Sequence, residues 1–302
     1  MNRPTRRELL AQSAAALFVR RLQALPLAAI KLGILTDEID DDVLTAAKFL
    51  TEYNLKWAEI RNIWNQYNTE QPIAKVREAR GILDEHGIKV SVEGTGFFKI
   101  PLPPETPEGR KKLDEQWALL DRSLERAKAF GTGTLRIFTF MLAPGEQPSD
   151  ASYDRIYELT REAARRAKGF RLAIENIGGG HVWSGAQAGE LLKHVKEDNV
   201  GMTWDPNNAA ESGEQSFPDG YRKLDPARIF HVHVRDFKHR DGKVVWTAVG
   251  AGEFDNLGHI RALLKDGYQG TFSLETHWRD PKGKMFSTET SIKALLPIIE
   301  KV

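Results

Sequence analysis

From Lys31 onward the chain alternates short apolar, β-branched runs with longer stretches whose apolar residues recur every three or four positions. The runs fall at 31–35, 57–60, 89–92, 134–138, 171–174, 200–204, 229–234 and 271–274, each the length of one buried strand. Between two of them, Leu113, Trp117, Leu120, Leu124 and Ala127 step by gaps of four and three, which puts all five on one helical face. Similar spacing predicts helices over 42–53, 72–86, 152–167, 185–196, 255–266 and 287–296. Gly87, Gly131, Gly169 and Gly267 follow helical stretches just before a strand, where a left-handed residue ends a helix.

Eight strands alternating with helices imply parallel pairing through right-handed crossovers. Such units either close into a (β/α)8 TIM barrel or open into a doubly wound sheet. No G-x-G-x-x-G and no P-loop follows any strand, which argues for the barrel. No linker, low-complexity tract or short repeat divides residues 30–302, so they are read as a single TIM barrel domain, a fold that takes roughly 250 residues. Segments 93–107, 142–151 and 237–252 are expected to loop over its mouth.

Residues 1–29 stand apart. Arg6-Arg7, then Glu8-Leu9-Leu10 and a small apolar run to Val19, resemble a twin-arginine export signal, with Leu27-Ala28-Ala29 as a small-residue cleavage site. Against this, Arg20-Arg21 interrupts the apolar run and Leu stands for the usual Phe, as an amphipathic leading helix would allow. Export is the preferred reading and places the protein in the periplasm; the helix reading leaves it in the cytoplasm.

Composition narrows the chemistry. The 43 Lys+Arg nearly cancel the 42 Asp+Glu, so no global charge points to nucleic acid. No run approaches the roughly 18 apolar residues of a membrane span. There is no cysteine, which excludes thiol catalysis, disulfides and thiolate metal sites; any metal must be held by His, Asp, Glu or water. Oligomeric state is open, a homo-oligomer included.

The informative pattern is what ends each apolar run: Glu59, Glu93, Glu175, Asp205, His231 with His233, and Glu275. In a barrel the carboxyl ends of all strands converge on one face. Carboxylates gathered there are partly desolvated and repel one another, and a divalent cation that also accepts an imidazole nitrogen resolves both costs. For Glu59 an ion pair with Arg61, two residues on, is an equal alternative, and Glu93 reads more readily as structural. Glu175, Asp205, His233 and Glu275 end the last four strands, all with ligand chemistry.

At these residues the chain resembles the sugar phosphate isomerase/epimerase family of xylose-isomerase-like TIM barrels. The matching segments are Ala173-Ile174-Glu175-Asn176, Gly201-Met202-Thr203-Trp204-Asp205-Pro206-Asn207-Asn208, His231-Val232-His233-Val234-Arg235-Asp236, and Gly250-Ala251-Gly252-Glu253-Phe254-Asp255 followed by Gly270-Thr271-Phe272-Ser273-Leu274-Glu275. The resemblance implies one divalent metal bound by Glu175, Asp205, His233 and Glu275. Three carboxylates and one imidazole favour Mn²⁺ or Mg²⁺ and admit Co²⁺ or Zn²⁺. It further implies that Glu175 and Glu275 move a proton on a ketose or polyol-derived ketone through an enediolate. Return of the proton gives isomerisation or epimerisation. Loss of a β-group from an inosose or 3-keto-glycoside gives a dehydratase or lyase.

Substrate contacts are expected from Asn208, His181, His231, Trp183, Glu59 and Arg235, with His277 at the mouth and Lys238 and Arg240 able to hold an anionic group. His181 stands where the ketose 3-epimerase branch carries a second glutamate, and Asn208 where many relatives carry histidine. The departure at His181 counts against simple ketose epimerisation, whereas Asn208 can still hydrogen-bond a sugar hydroxyl. Asn208 as a helix cap and His231 as a hydrogen-bonded support are the bland alternatives. Trp64, Phe97, Phe98, Trp183, Trp246 and Trp278 are candidates to stack on a sugar ring. A three-zinc abasic-site nuclease of the same superfamily would need histidines that residues 31–168 lack, His86 excepted. A non-catalytic sugar-binding barrel is the competing class.

Overall fold

The computed structural model describes residues 30–302; the expectation for residues 1–29 lies outside them. In chain order the elements are β1 Lys31–Leu35, α1 Thr36–Ile39, α2 Val43–Glu52, β2 Trp57–Ile60, β3 Asn62–Ile63, β4 Gln66–Tyr67, α3 Ile73–Glu85, β5 Lys89–Gly94, α4 Pro107–Phe130 and β6 Thr134–Ile137. They continue as α5 Asp150–Arg166, β7 Arg171–Glu175, α6 Gly185–His194, β8 Val200–Trp204, α7 Pro206–Glu211, β9 Ile229–Val234, β10 Asp236–Arg240, β11 Lys243–Thr247, α8 Asn256–Lys265, β12 Thr271–Leu274 and α9 Lys284–Ile299. Eight strands pair in parallel and close in the order β1-β12-β9-β8-β7-β6-β5-β2, the expected barrel. No helix among the described residues is long and apolar enough to cross a membrane.

The helices end and begin as their sequences require. Gly87, Gly131, Gly169 and Gly267 all sit at positive φ, between 67° and 90°, a conformation open to glycine without steric cost. Thr106, Ser149, Ser184 and Asp255 cap the starts of α4, α5, α6 and α8 with their side-chain oxygens. On α4, Trp117, Leu120 and Ala127 are buried against the barrel while Leu113 and Leu124 pack at its margin. Burying a leucine or tryptophan in this way stabilises the fold by about 2 kcal/mol each.

Segment 237–252 is a correction. It is not an open loop but mostly the hairpin β10–β11, closed by Asp241 and Gly242 at φ 52° and 73°. An Asp-Gly pair at positive φ is the two-residue turn that matches strand twist. The boundaries of the other elements fall within a few residues of expectation, except that α4 begins six residues before Leu113.

The end of β8 is tied to α8 by one hydrogen bond. Trp204 Nε1 donates to His259 Nε2 at 3.1 Å, so the ring must be neutral with its proton on Nδ1. Phe217, Tyr221 and Phe254 surround His259 at 5.4–5.7 Å between ring centroids. Burial pushes its pKa down to about 3. Because the folded pKa lies below the unfolded value, stability is full above pH 6.5 and declines as pH falls toward 3. Each pH unit in that window costs about 1.4 kcal/mol from this one group. Urea denaturation at pH 7 and pH 5 should therefore show a loss of about 2 kcal/mol on acidification that shrinks in His259→Gln. An unchanged difference in the variant would refute the assignment.

Candidate metal centre

Two strand irregularities aim side chains inward. The β2–β5 register shifts between Ala58 and Glu59, and the β8–β9 register shifts between Met202 and Thr203; such bulges commonly re-aim residues next to sites. Glu59 crosses the barrel interior to β9, where His231 Nε2 and His233 Nε2 both lie against its Oε2, at 2.9 and 3.0 Å. All three side chains are fully buried.

With its Nε2 engaged by Glu59, His233 turns Nδ1 toward three carboxylates. Glu275 Oε2 lies at 3.2 Å, and Glu175 Oε1 and Asp205 Oδ2 each at 3.5 Å. One ligand atom from each of the four residues falls within 4.8 Å of the others. Both His233 Nδ1 and Glu275 Oε2 are buried without a hydrogen-bond partner. An imidazole nitrogen and a carboxylate oxygen left bare at a common point fit the donor set of a divalent cation, and a carboxylate behind the histidine is the usual way such a ligand is oriented.

Local structure explains each placement. Asp205 divides its oxygens: Oδ1 accepts from the Asn207 and Asn208 backbone N–H groups and caps α7, while Oδ2 faces His233. Asn176 fastens β7 to β8, since its Oδ1 accepts from Asp205 N and its Nδ2 donates to Asp205 O. Asp236 gathers the ends of the hairpin by accepting from the backbone N–H groups of Phe237, Gly250, Gly252 and Phe254. A Cβ on Gly252 would fall 1.9 Å from Asp236 Oδ1, so only glycine fits there.

Guanidinium groups balance the carboxylates. Arg136 bonds Glu175 Oε2 through Nη1 and lies 3.4 Å from Glu59 Oε1 through Nε. Arg235 bonds Asp205 Oδ2 and lies 3.5 Å from Glu275 Oε2. Arg61 reaches Asp37 at 2.9 Å, Glu38 at 3.2 Å and Glu275 Oε1 at 3.3 Å. Burial alone would raise the pKa of Glu175, but Arg136 and His233 bring it down to about 2. Burial likewise opposes ionisation of Glu59 and Glu275. The two imidazoles hold Glu59 well below the usual range, and His277, His233 and Arg235 do so for Glu275.

The remaining expected residues separate into two groups. Asn208 Nδ2 donates to Asn176 O at 2.8 Å and approaches Glu175 Oε1 at 3.4 Å, and the cap of α7 is Asp205 instead. Trp183 is half-buried, with its Nε1 unpartnered. Glu59 pairs with the two histidines and Arg136 and not with Arg61, which reaches α1 and Glu275 instead. His231 and Glu59 lie beneath the quartet, fully buried and paired with each other, where they support it. His181 is fully buried against the Phe140 carbonyl at 3.3 Å.

Phe97 and Phe98 are fully buried in a cluster with Trp117 and Phe140, away from any open sugar face. The Trp64 indole donates to Asp42 and lies under the Lys75 ammonium. Glu93 pairs in register with Ile60 and Leu135, and both its oxygens are buried without a partner, so burial pushes its carboxyl well above the usual range.

Arg136, which the sequence reading passed over, carries a visible signal: a single charge inside the apolar run Thr134-Leu135-Arg136-Ile137-Phe138. Its register neighbour is Ala173, and a Cβ on Gly94 would fall 2.7 Å from its Nη2, so small neighbours make room for it. Arg136→Met strips the counter-charge from two buried carboxylates and should cost about 3–5 kcal/mol in urea denaturation. Arg136→Lys should recover part of that loss. A cost below about 1 kcal/mol, the range of a surface pair, would show that the guanidinium does not hold them.

Among solved structures, the IolI protein with a bound zinc atom shares 18% identity at a TM-score of 0.72, over 90% of this chain and 99% of that one. D-allulose 3-epimerase from Methylomonas sp., solved with D-allulose, shares 17% at 0.72, over 91% and 98%. The 3-keto-D-glucoside 4-epimerase YcjR from E. coli shares 17% at 0.64, over 88% and 99%. At these identities the likeness is one of fold. No protein of curated function matches the sequence. The xylose isomerase-like TIM barrel pattern matches residues 48–299, and the chain belongs to that family.

Proposed function

We propose that this protein is a divalent-metal-dependent isomerase or epimerase acting on a ketose or polyol-derived ketone. The observation that carries the reading is the bare, buried Nδ1 of His233, backed by Glu59 and facing Glu175, Asp205 and Glu275. Those four residues would hold the ion, Mn²⁺ or Mg²⁺ by the hardness of the oxygen set. Structural neighbours solved with zinc or with magnesium are consistent with a divalent ion in this fold. When bound, the ion supplies Lewis-acid polarisation of a carbonyl and its adjacent hydroxyl, which acidifies the C–H between them.

The chain's own residues do the rest. Glu175 and Glu275 project from strands separated by β8 and β9, so they face a common substrate from different sides. Both are held ionised, so either accepts a carbon-bound proton at neutral pH, and the glutamic acid so formed is the donor that gives it back. Delivery from the other side of the substrate needs the second glutamate first to take up a proton from solvent. Return to the opposite face of the same carbon is epimerisation, and return to the neighbouring carbon is isomerisation. Arg136 holds Oε2 of Glu175 and thereby presents Oε1. Arg61 and His277 flank Oε1 of Glu275, which leaves Oε2 toward His233. Asn208, beside Glu175, offers an amide to a sugar hydroxyl. The epimerases among the structural neighbours agree with this chemistry.

The test is deuterium incorporation from D2O into a panel of ketoses, inososes and 3-keto-glycosides, followed by NMR with Mn²⁺ present. Exchange at the carbon next to the carbonyl should appear for at least one member and vanish on chelation. Glu175→Gln should slow it about 10²–10⁴-fold, the usual worth of a positioned acid–base group, with the circular dichroism unchanged. His233→Ala should remove bound metal and exchange together. Stoichiometric metal with no exchange on any panel member would overturn the reading.

A further inference from the structure

A cavity of 650 Å³ adjoins the quartet through His277, although no quartet residue lines it. His277, in its lining, lies 3.2 Å from Glu275 Oε1 and 2.6 Å from Arg235 Nη1. Trp246, also in the lining, covers the Arg235 guanidinium at 4.5 Å. The rest of the wall comes from the β10–β11 hairpin and the segment after β12, and no carboxylate lines it. Its volume lies within the range of pockets that take small ligands.

The charges on this wall are unequally matched. Arg279 is paired with Glu38 at 2.7 Å and His239 with Glu253 at 2.8 Å. Lys238 and Arg240 are exposed and have no ion pair or side-chain hydrogen bond among the described residues. Two residues apart on one strand, they share a face of the hairpin, and Arg240 stands directly opposite Lys243 across the ladder. Three like charges on one face of a two-stranded hairpin repel one another. Val245, directly opposite Lys238, is 42% exposed, one of two large apolar side chains exposed among the described residues. Trp246, on the other face of the hairpin, and Trp278 are half-buried where they line the same cavity. Unmatched cations flanked by aromatic and apolar surface suit an acidic group carried on a sugar-sized body.

We infer that this cavity is an anion subsite, in which Lys238 and Arg240 bind a carboxylate or phosphate carried by the substrate while Trp246 and Trp278 cover its apolar face. The inference rests on the proposed sugar isomerase or epimerase and narrows its substrate to an acidic sugar derivative.

The test titrates D-glucuronate, D-glucose 6-phosphate and neutral methyl α-D-glucoside into the full-length Mn²⁺-loaded protein, read by calorimetry and tryptophan fluorescence. At least one acid should bind about tenfold more tightly than the neutral glycoside, with an advantage that shrinks as salt rises. Lys238→Ala/Arg240→Ala, at exposed positions that leave the barrel intact, should erase that advantage. The uronate and phosphate arms identify which acid the site prefers. Equal binding of acids and glycoside, absence of millimolar binding by either acid, or an acid preference that survives in the double variant would each overturn the inference. Glu175→Gln, tested in parallel, should keep the acid preference while losing proton exchange. A fault in the proposed chemistry and a fault in the anion subsite therefore give different results.

Discussion

The hydrogen bonds from His231 and His233 to a single oxygen of Glu59 set the geometry on which the rest of the barrel mouth depends. A carboxylate with no access to water is costly unless it is fully engaged, and here two imidazoles and a guanidinium engage it. In return Glu59 fixes which nitrogen of His233 is free. Were that ring to rotate, the three carboxylates would lose the nitrogen they share and be left to Arg136 and Arg235.

Around that pairing, ionic groups fill space that most barrels fill with branched aliphatic side chains. Glu59, Arg136, His231, His233 and Arg235 are all at most 1% exposed. Folding pays for this with the helix-facing layer, where leucine, isoleucine, valine and phenylalanine side chains are buried on the outer face of the same strands. Polar order is held by backbone contacts from Asn176 and Asp205, so it does not rely on ionic attraction alone.

Much of this was legible in the sequence. The apolar runs marked all eight barrel strands, because strands buried on both faces carry a signal that short exposed strands do not. The ligand-type residues were legible for a related reason: each ends an apolar run, and a barrel gathers those ends. What escaped notice depended on three dimensions. Glu93 and Glu59 look alike at their strand ends, yet Glu59 points into the barrel, opposite Val92, while Glu93 pairs with the outward-facing Ile60 after an extra residue in β5 shifts the register. Arg136 shows in the sequence as a lone charge in an apolar run, but its partners, Glu175 and Glu59, lie 39 and 77 residues away and do not. The hairpin was hidden among the charged residues of a mouth segment, although Asp241-Gly242 announced its turn.

Asp236 has a further consequence. By drawing four backbone N–H groups onto one carboxylate, it closes the base of the hairpin independently of what the hairpin's tip contains. The stretch above that clasp behaves as an exchangeable cassette. Apart from Trp246, which covers Arg235, its side chains can change without loosening that clasp, so the hairpin's tip and the reactive floor are largely separate parts of this architecture.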